Sequence, residues 1–476
     1  MNALLVLLAL AMSVIVALVF PSDGPAAVVV CAALSAVTIL AITRYETHAR
    51  FLVHVFAAGV LFRVAVGSMI YYAHLQDFFG GDAYTYDYLG STLLLFWKGQ
   101  LSYGYYDTYL GLHVYRNWGM PYMVAGIYYV TGPNMLAVQF VNAVVGAATA
   151  PVIFLCARHI FQNLRVAKLS ALLVAFFPSL VLWSSQGLKD GPIVLLLAAA
   201  MLATLRLGER LSLKYAALLL FTLYGLFSFR FYIFYMAAAA VVGSFVIGMR
   251  PQTGRSLLRQ FVVIIAVGVA LTYMGVIRSA GAQSELYGSL EDVQRSRMDL
   301  ARSANTGFGQ DVDVSTASGA LSAIPLGMTY LLFAPFPWQV ASLRQSITLP
   351  EMLVWWASFP LLVMGIWFTI KFRMRQALPI LIFTTMLTLA YSIFQGNVGT
   401  AYRQRSQILV FYFIFVAVGA VLLKERGEDR QRQRALAKQA AINAGQRRGV
   451  QTPPLVPLAP HLPAGVPQTA RDALEV

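Results

Sequence analysis

The sequence predicts an all-α polytopic membrane protein with about twelve transmembrane helices and two long outer loops that carry interfacial helices. Three observations predict this class. Of the 476 residues, 59% are hydrophobic. Only 12% are charged, where a soluble protein of this size has about 25%. The apolar residues also fall in runs close to the ~20 residues that cross a bilayer. The predicted spans lie at 3–20, 25–43, 51–73, 136–157, 168–184, 190–206, 215–229, 231–249, 260–277, 351–370, 376–394 and 406–423.

Composition divides the chain into three regions. Residues 1–50 form a predicted membrane hairpin, because the turn-like PSDGP joins two apolar runs and no basic segment precedes the first. The alternative is a cleaved signal peptide. Residues 51–425 contain the remaining spans. Residues 426–476 are basic and then proline-rich, which predicts a disordered tail.

The short loops predict the orientation, since Lys and Arg are retained on the cytoplasmic side. One set of loops holds fourteen basic residues: Arg44, Arg50, Arg158, Arg165, Lys168, Arg206, Arg210, Lys214, Arg250, Arg255, Arg259, Lys371, Arg373 and Arg375. The alternate set holds four: Lys189, Arg230, Arg403 and Arg405. This contrast places both termini in the cytoplasm and the long loops, about 74–135 and 278–350, outside.

Charge and motif content exclude several function classes. The net charge of +15 does not indicate nucleic-acid binding, because the basic residues are scattered between apolar runs. Thirteen of the twenty acidic residues fall on the predicted outer side and none in the middle of a span, which favours chemistry at that face over ion transport. The sequence has no Walker A loop, dinucleotide fingerprint, HExxH motif or zinc spacing. No cofactor is required, and a divalent metal has no support.

The stretch FFGGDAYTYDYLG, residues 78–90, supplies the first candidate site residues. It follows the third span and contains Asp82 and Asp87, which are candidate catalytic bases because a carboxylate can accept the proton of an attacking hydroxyl or amine. The alternative is a turn aspartate that caps the next helix. The tyrosine-rich stretch after it, with Tyr86, Tyr105 and Arg116, is a candidate acceptor or sugar groove, or else an interfacial aromatic belt.

Four basic residues are candidate ligands of a phosphate. Arg403 and Arg405, in GTAYRQRSQ, lie at the predicted outer end of the last span, where guanidinium groups bind phosphate oxygens unless they only snorkel to the interface. Lys189 precedes Asp190, a further catalytic candidate. The alternative for this pair is the start of a helix. Arg63 lies inside the third span, where an arginine needs a buried partner or a lipid phosphate.

Three segments in order carry a family resemblance. They are the Gly-Asp-x-x-x-Tyr loop, the block from NWGMPYMVAG to CARHIF, and FPSLVLWSSQGLKD. Over residues 51–425 the chain resembles the GT-C superfamily of integral-membrane glycosyltransferases. It is similar in particular to the branch with protein O-mannosyltransferases and lipid A aminoarabinose transferases. The resemblance implies a polyprenyl-phosphate sugar donor and an acidic base in the first outer loop. Asp82 matches that base by its position and by Tyr86 four residues later, whereas Ala83 replaces the second acid of the common pair and leaves Asp87 as its substitute.

These observations predict a multi-pass glycosyltransferase of the inner (plasma) membrane that acts on the outer side. Its partners are a lipid-linked sugar donor and a lipid, glycan or protein acceptor. Two alternatives stay open. A polysaccharide polymerase or ligase has similar helices but relies on late-loop arginines and a histidine, and a lipid-linked sugar flippase or transporter carries more polar residues at bilayer depth.

Overall fold

The computed structural model describes residues 3–105, 117–249, 254–276, 278–280, 283, 288–302, 306–340 and 343–449. Within these residues the regular structure is helical, apart from an isolated antiparallel bridge between Gly307 and Asn397. The predicted all-α class is therefore confirmed for this part of the chain. The α-helices are α1 Ala3–Val19, α2 Gly24–Tyr45, α3 Ala49–Tyr72, α4 Gln76–Phe79, α5 Asp82–Trp97, α6 Tyr103–Tyr105, α7 Gly119–Thr131, α8 Met135–Phe161, α9 Leu164–Phe176, α10 Pro178–Ser184, α11 Asp190–Glu209, α12 Leu213–Phe229, α13 Phe231–Ile247, α14 Gly254–Tyr273, α15 Leu290–Arg302, α16 Ala317–Phe333, α17 Leu343–Phe394, α18 Val398–Gln404 and α19 Ser406–Gly449.

Six of the described helices are long and apolar enough to cross a membrane, which makes the chain a multi-pass membrane protein. The pair α9 and α10 forms a seventh candidate span that bends by 53°. The bend has a local cause: Phe177 precedes Pro178, and the proline ring pushes it out of the helical region to φ −66° and ψ 128°. Shorter apolar helices occupy several of the other predicted spans, so the number twelve stays a prediction.

Helix α17 covers two predicted spans. Its backbone leaves the helical region at Arg373, with φ −136° and ψ 17°, inside the loop that the sequence placed between 370 and 376. The interruption divides α17 into two pieces; the second ends at Phe394 as predicted, whereas the first begins at Leu343, eight residues before the predicted start of its span.

The chain forms two compact units, Met1–Val421 and Leu422–Val476. In the first unit, α8 is the central helix, because nearly every one of its faces is buried by neighbours. Small residues make this possible: a Cβ on Gly146 would lie 2.4 Å from the Cβ of Ser184. The second unit is helical to Gly449, and the predicted proline-rich tail at 450–476 lies outside the described residues.

Both long loops contain helices. In the first loop, α5 and α7 pack closely, since a Cβ on Gly90 would lie 2.3 Å from a side-chain carbon of Val124. In the second loop, α15 and α16 are joined by a segment that pairs with the start of α18. The amide of Phe308 donates to the carbonyl of Gly396 at 2.8 Å, and the amide of Val398 donates to the carbonyl of Thr306 at 3.0 Å. The second loop therefore supports α18, which carries Arg403.

Candidate active site

Arg403 joins two aspartates that are far away in the sequence. Its Nη1 donates to Oδ2 of Asp82 at 2.7 Å, and its Nε donates to Oδ2 of Asp190 at 2.7 Å. The partners are 321 and 213 residues away along the chain. Three residues that the sequence singled out separately thus form one ionic cluster.

Asp82 lies at the exposed edge of this cluster. The chain leaves α4 through Gly80, whose φ of +122° favours glycine, and α5 begins at Asp82. The positive end of the helix dipole favours an ionised carboxylate at this position. The side chain of Asp82 is 51% exposed, so its carboxylate remains open to an incoming molecule while it accepts from Arg403.

Asp190 occupies the opposite, buried edge. It is the first residue of α11, and its side chain is only 1% exposed. The segment before it is held by Asn142 of α8, whose Nδ2 donates to the carbonyls of Gln186 at 2.6 Å and Leu188 at 2.7 Å. Asp190 is therefore a fixed anion beneath the guanidinium of Arg403.

Arg403 is held in place by its own helix and by an aromatic ring. Helix α18 begins after Asn397, whose side chain accepts from the amide of Gly399 at 2.8 Å and caps the helix. The guanidinium carbon of Arg403 lies 5.7 Å from the ring centroid of Trp183, a distance typical of a cation–π contact. With 15% of its side chain exposed, Arg403 faces both the protein and the open side of the cluster.

Two further cations complete the cluster. The Nη2 of Arg230 lies 4.0 Å from Oδ1 of Asp190, and Nζ of Lys189 lies 5.9 Å from the ring centroid of Tyr86. Burial, reinforced by the charge of Arg230, lowers the pKa of Lys189 to about 8, so this side chain is mostly charged at neutral pH. The cluster then holds three cations and two carboxylates, an excess of one positive charge.

The cluster also contains an unused hydrogen-bond donor. Nη1 of Arg230 is buried and makes no hydrogen bond to the described residues, whereas Nη2 of Arg403 lies 2.7 Å from Oδ2 of Asp190 in the ion pair. A buried N–H without a partner costs about 1–3 kcal/mol. The arrangement is chemically suited to an anion with several acceptor oxygens, such as a phosphate.

Tyr86 shares a helix face with Asp82, because residues four apart on a helix are neighbours. Burial, followed by the charge of Asp82, raises the pKa of Tyr86 well above its usual value. Its hydroxyl therefore stays protonated at neutral pH and is able to donate a hydrogen bond.

Asp87 and Tyr105, two other loop candidates, make hydrogen bonds to tyrosines of the first loop. Asp87 accepts a hydrogen bond from the hydroxyl of Tyr128 of α7, which occupies one of its carboxylate oxygens. The hydroxyl of Tyr105 lies 3.3 Å from that of Tyr88. Arg116 lies outside the described residues.

Arg405 and Arg63 bind main-chain carbonyls. The guanidinium of Arg405 donates to the carbonyls of Leu332 at 2.9 Å and Ala334 at 2.7 Å. That of Arg63 donates to the carbonyl of Ala175 at 2.7 Å and to Oγ of Ser184 at 2.8 Å. Both side chains are 1% exposed, so these two phosphate candidates occupy buried positions inside the bundle.

Arg230 was not singled out from the sequence, although a signal for it exists. It is one of the four basic residues of the predicted outer set, and three of these four surround Asp190. No group of three or more His, Cys, Asp or Glu side chains with metal-site geometry occurs in the described part of the chain.

Comparison with known proteins agrees with the sequence resemblance. Residues 118–277 match the family model described as dolichyl-phosphate-mannose-protein mannosyltransferase. This is a family of GT-C type membrane glycosyltransferases, which confirms the resemblance. The match contains Lys189, Asp190 and Arg230 but ends before Arg403 and begins after Asp82. A search of curated proteins found no match to the chain.

Proposed function

We propose that the chain transfers a sugar from a polyprenyl-phosphate donor to an acceptor at the non-cytoplasmic face of the membrane. In this proposal Asp82 is the general base, and Arg403, Arg230 and Lys189 bind the donor phosphate. The observation that carries it is the position of Arg403, which connects half-exposed Asp82 to buried Asp190 beside two more cations.

The charge of the cluster favours a phosphodiester. A sugar joined to a polyprenyl monophosphate carries one negative charge, which neutralises the single excess positive charge of the cluster. Charge balance matters here because Asp190 and Arg230 are buried, and electrostatic interactions are stronger away from bulk water. A diphosphate-linked donor would leave excess negative charge in the same place.

The reaction then follows from the positions of the acids. The donor phosphate replaces Asp82 on Arg403, which frees the Asp82 carboxylate to face the acceptor. Asp82 accepts the proton as the acceptor oxygen or nitrogen bonds to the anomeric carbon. The bond between that carbon and the phosphate oxygen breaks, and the leaving phosphate keeps the electron pair, stabilised by Arg403 and Arg230. Asp190 touches no substrate and positions both arginines.

The predicted topology supports the outer face. Lys189, Arg230 and Arg403 lie in loops where positive charge is disfavoured by the rule for membrane insertion. A binding site for an anion gives these three residues a function on that side. The same topology places both termini in the cytoplasm.

The test is transfer of labelled sugar from a polyprenyl-phosphate pool in membrane vesicles, after equal insertion of each variant is confirmed. We expect Asp82→Asn to lower transfer by about 10²-fold or more, the usual contribution of a general base, while retention of the labelled donor persists. Asp311→Asn, the same chemical change at an exposed position of the second loop, serves as the control and should remain near wild type.

Two outcomes contradict the proposal. Unchanged transfer in Asp82→Asn would eliminate this aspartate as the base. Absence of transfer by the wild type from a broad donor pool would favour the polymerase or transporter alternatives, which are separated by testing glycan elongation and movement of lipid-linked sugar across the bilayer.

A further inference from the structure

Four aromatic side chains of the second long loop pack one against the next, and we call this group the aromatic shelf: Phe308, Tyr330, Phe336 and Trp338. The rings of Phe308 and Tyr330 are parallel within 3°, with centroids 4.1 Å apart. Tyr330 meets Phe336 edge to face at 5.6 Å, and Phe336 stacks on Trp338 at 5.1 Å with an angle of 14°. Trp338, at the outer end, is 77% exposed.

The shelf is fixed to the helix that carries Arg403. Phe308 and Ala334 pack with Val398, the first residue of α18, in one buried cluster. Arg405 holds the same segment by its hydrogen bond to the carbonyl of Ala334. The shelf therefore packs on the helix that carries Arg403, with Trp338 at its exposed end.

A polar group stands beside the exposed ring. The side-chain Nε2 of Gln339 donates to the hydroxyl of Tyr330 at 3.1 Å, and Gln339 is itself exposed. This bond fixes the amide next to the shelf. Trp338 itself carries an indole N–H, which is a hydrogen-bond donor.

We propose that the aromatic shelf binds a pyranose ring of a carbohydrate acceptor, which stacks on Trp338. One face of a pyranose presents C–H groups, which pack on an indole, while its hydroxyls reach polar groups at the rim such as Gln339. Binding sites for small ligands commonly combine aromatic walls with a few placed polar groups. The inference rests on the proposed transfer function, and it specifies the acceptor as a glycan or a glycolipid.

A membrane anchor is the rival explanation for an exposed tryptophan, since Trp is enriched at bilayer interfaces. The geometry favours a sugar. An anchor needs only an exposed apolar surface, whereas the shelf orders four rings in sequence and supports the last one from behind. Such pre-organisation reduces the conformational entropy lost when a ligand binds.

The first experiment compares transfer by Trp338→Phe and Trp338→Leu in the vesicle assay. Phe keeps a flat aromatic face, and Leu keeps an apolar side chain without one. We expect Leu to lower transfer about tenfold, the effect of losing roughly 1.4 kcal/mol of stacking, and Phe to remain within about threefold of wild type. Retention of the labelled donor should be unchanged in both variants.

The second experiment measures sugar contact without any transfer. Hydroxyl-radical footprinting of wild-type protein in nanodiscs reports oxidation of Trp338 by mass spectrometry. The probes are mannotriose, maltotriose and cellotriose at millimolar concentration, and the exposed Trp97 at the end of α5, in the first long loop, serves as the internal control. We expect at least one probe to reduce oxidation of Trp338 and to leave Trp97 unchanged.

Each outcome has a consequence. Equal transfer by Trp338→Leu and wild type, which a membrane anchor predicts, overturns the proposal. Unchanged oxidation of Trp338 with all three probes overturns it as well. Protection of Trp338 in a protein that transfers no sugar would contradict the proposed function and keep the shelf as a carbohydrate site.

Discussion

Arg403 and Arg405 lie two residues apart and have different partners. Arg403 donates to the carboxylates of Asp82 and Asp190, and it remains partly exposed. Arg405 is fully buried and donates to the carbonyls of Leu332 and Ala334. Main-chain carbonyls cannot leave without disrupting a helix end, whereas an exposed carboxylate can be replaced by another anion. The comparison therefore separates an arginine suited to bind a ligand from one suited to hold the fold.

Asp190→Asn should have the largest effect, because it removes the anion between Arg403 and Arg230. Loss of one partner of a buried ion pair costs about 3–5 kcal/mol, so we expect a lower midpoint of thermal unfolding and loss of transfer. Both are measured on the purified protein in nanodiscs. An unchanged midpoint would show that Asp190 does not hold the two arginines together.

Arg403→Gln and Arg405→Gln should differ in function per folded molecule. Loss of a donor at a developing negative charge lowers turnover by about 10²–10³-fold, so Arg403→Gln should lose transfer and donor retention even after correction for folded protein, and it should also lower the unfolding midpoint because it leaves buried Asp190 with one cation fewer. Arg405→Gln should lower the unfolding midpoint and keep transfer and donor retention per folded molecule. The comparison fails if both variants lose donor retention equally.

The smallest effect concerns pH. Lys189 has a pKa of about 8, so its charge is present at pH 7 and is lost as the pH rises through 8. Donor retention by wild type should therefore weaken a few-fold between pH 7 and pH 9. Lys189→Arg keeps the charge throughout and should give a flat profile, while an identical decline in both proteins would exclude Lys189 as the titrating group.

Much of the candidate site follows from the sequence. Asp190 and Arg403 lie at ends of predicted spans and Asp82 lies in the loop after the third span, and the count of basic residues predicts that all three lie on one side of the membrane. Few charged residues are predicted on that side of the membrane at the ends of spans, so ion pairs between the acidic and the basic ones can be expected. Their distances could not be predicted, because the sequence does not specify which helices are neighbours.

The period of the α-helix explains why some candidate residues that are close in the sequence point in different directions. Successive residues on a helix turn by about 100°, so Asp82 and Tyr86 lie about 40° apart and share a face, whereas Asp87 points another 100° away and contacts Tyr128. Arg403 and Arg405 differ by about 200° and cannot face the same ligand. The sequence analysis grouped Asp82 with Asp87, and Arg403 with Arg405, because each pair is close in the sequence, without considering the direction of each side chain.

Arg230 is a site residue that the sequence analysis counted among the outer basic residues but did not propose as part of the site. Arg230 lies in a short break between two apolar helices, where the sequence has no recognisable motif. Its charge was used only to predict the topology. The packing of α12 and α13 beside α11 brings it to Asp190, and such helix packing is a property of the folded bundle.

The long separation between Asp82 and Arg403 has a consequence for biogenesis. Helices of a multi-pass protein are synthesised in order, so Asp82 and Asp190 are already made when Arg403 is still to be translated. The bridge across 321 residues forms only after Arg403 has been synthesised. A chain interrupted before α18 has both acids together with Lys189 and Arg230 but lacks the arginine that joins Asp82 to Asp190, which makes this bridge a reporter of synthesis through α18.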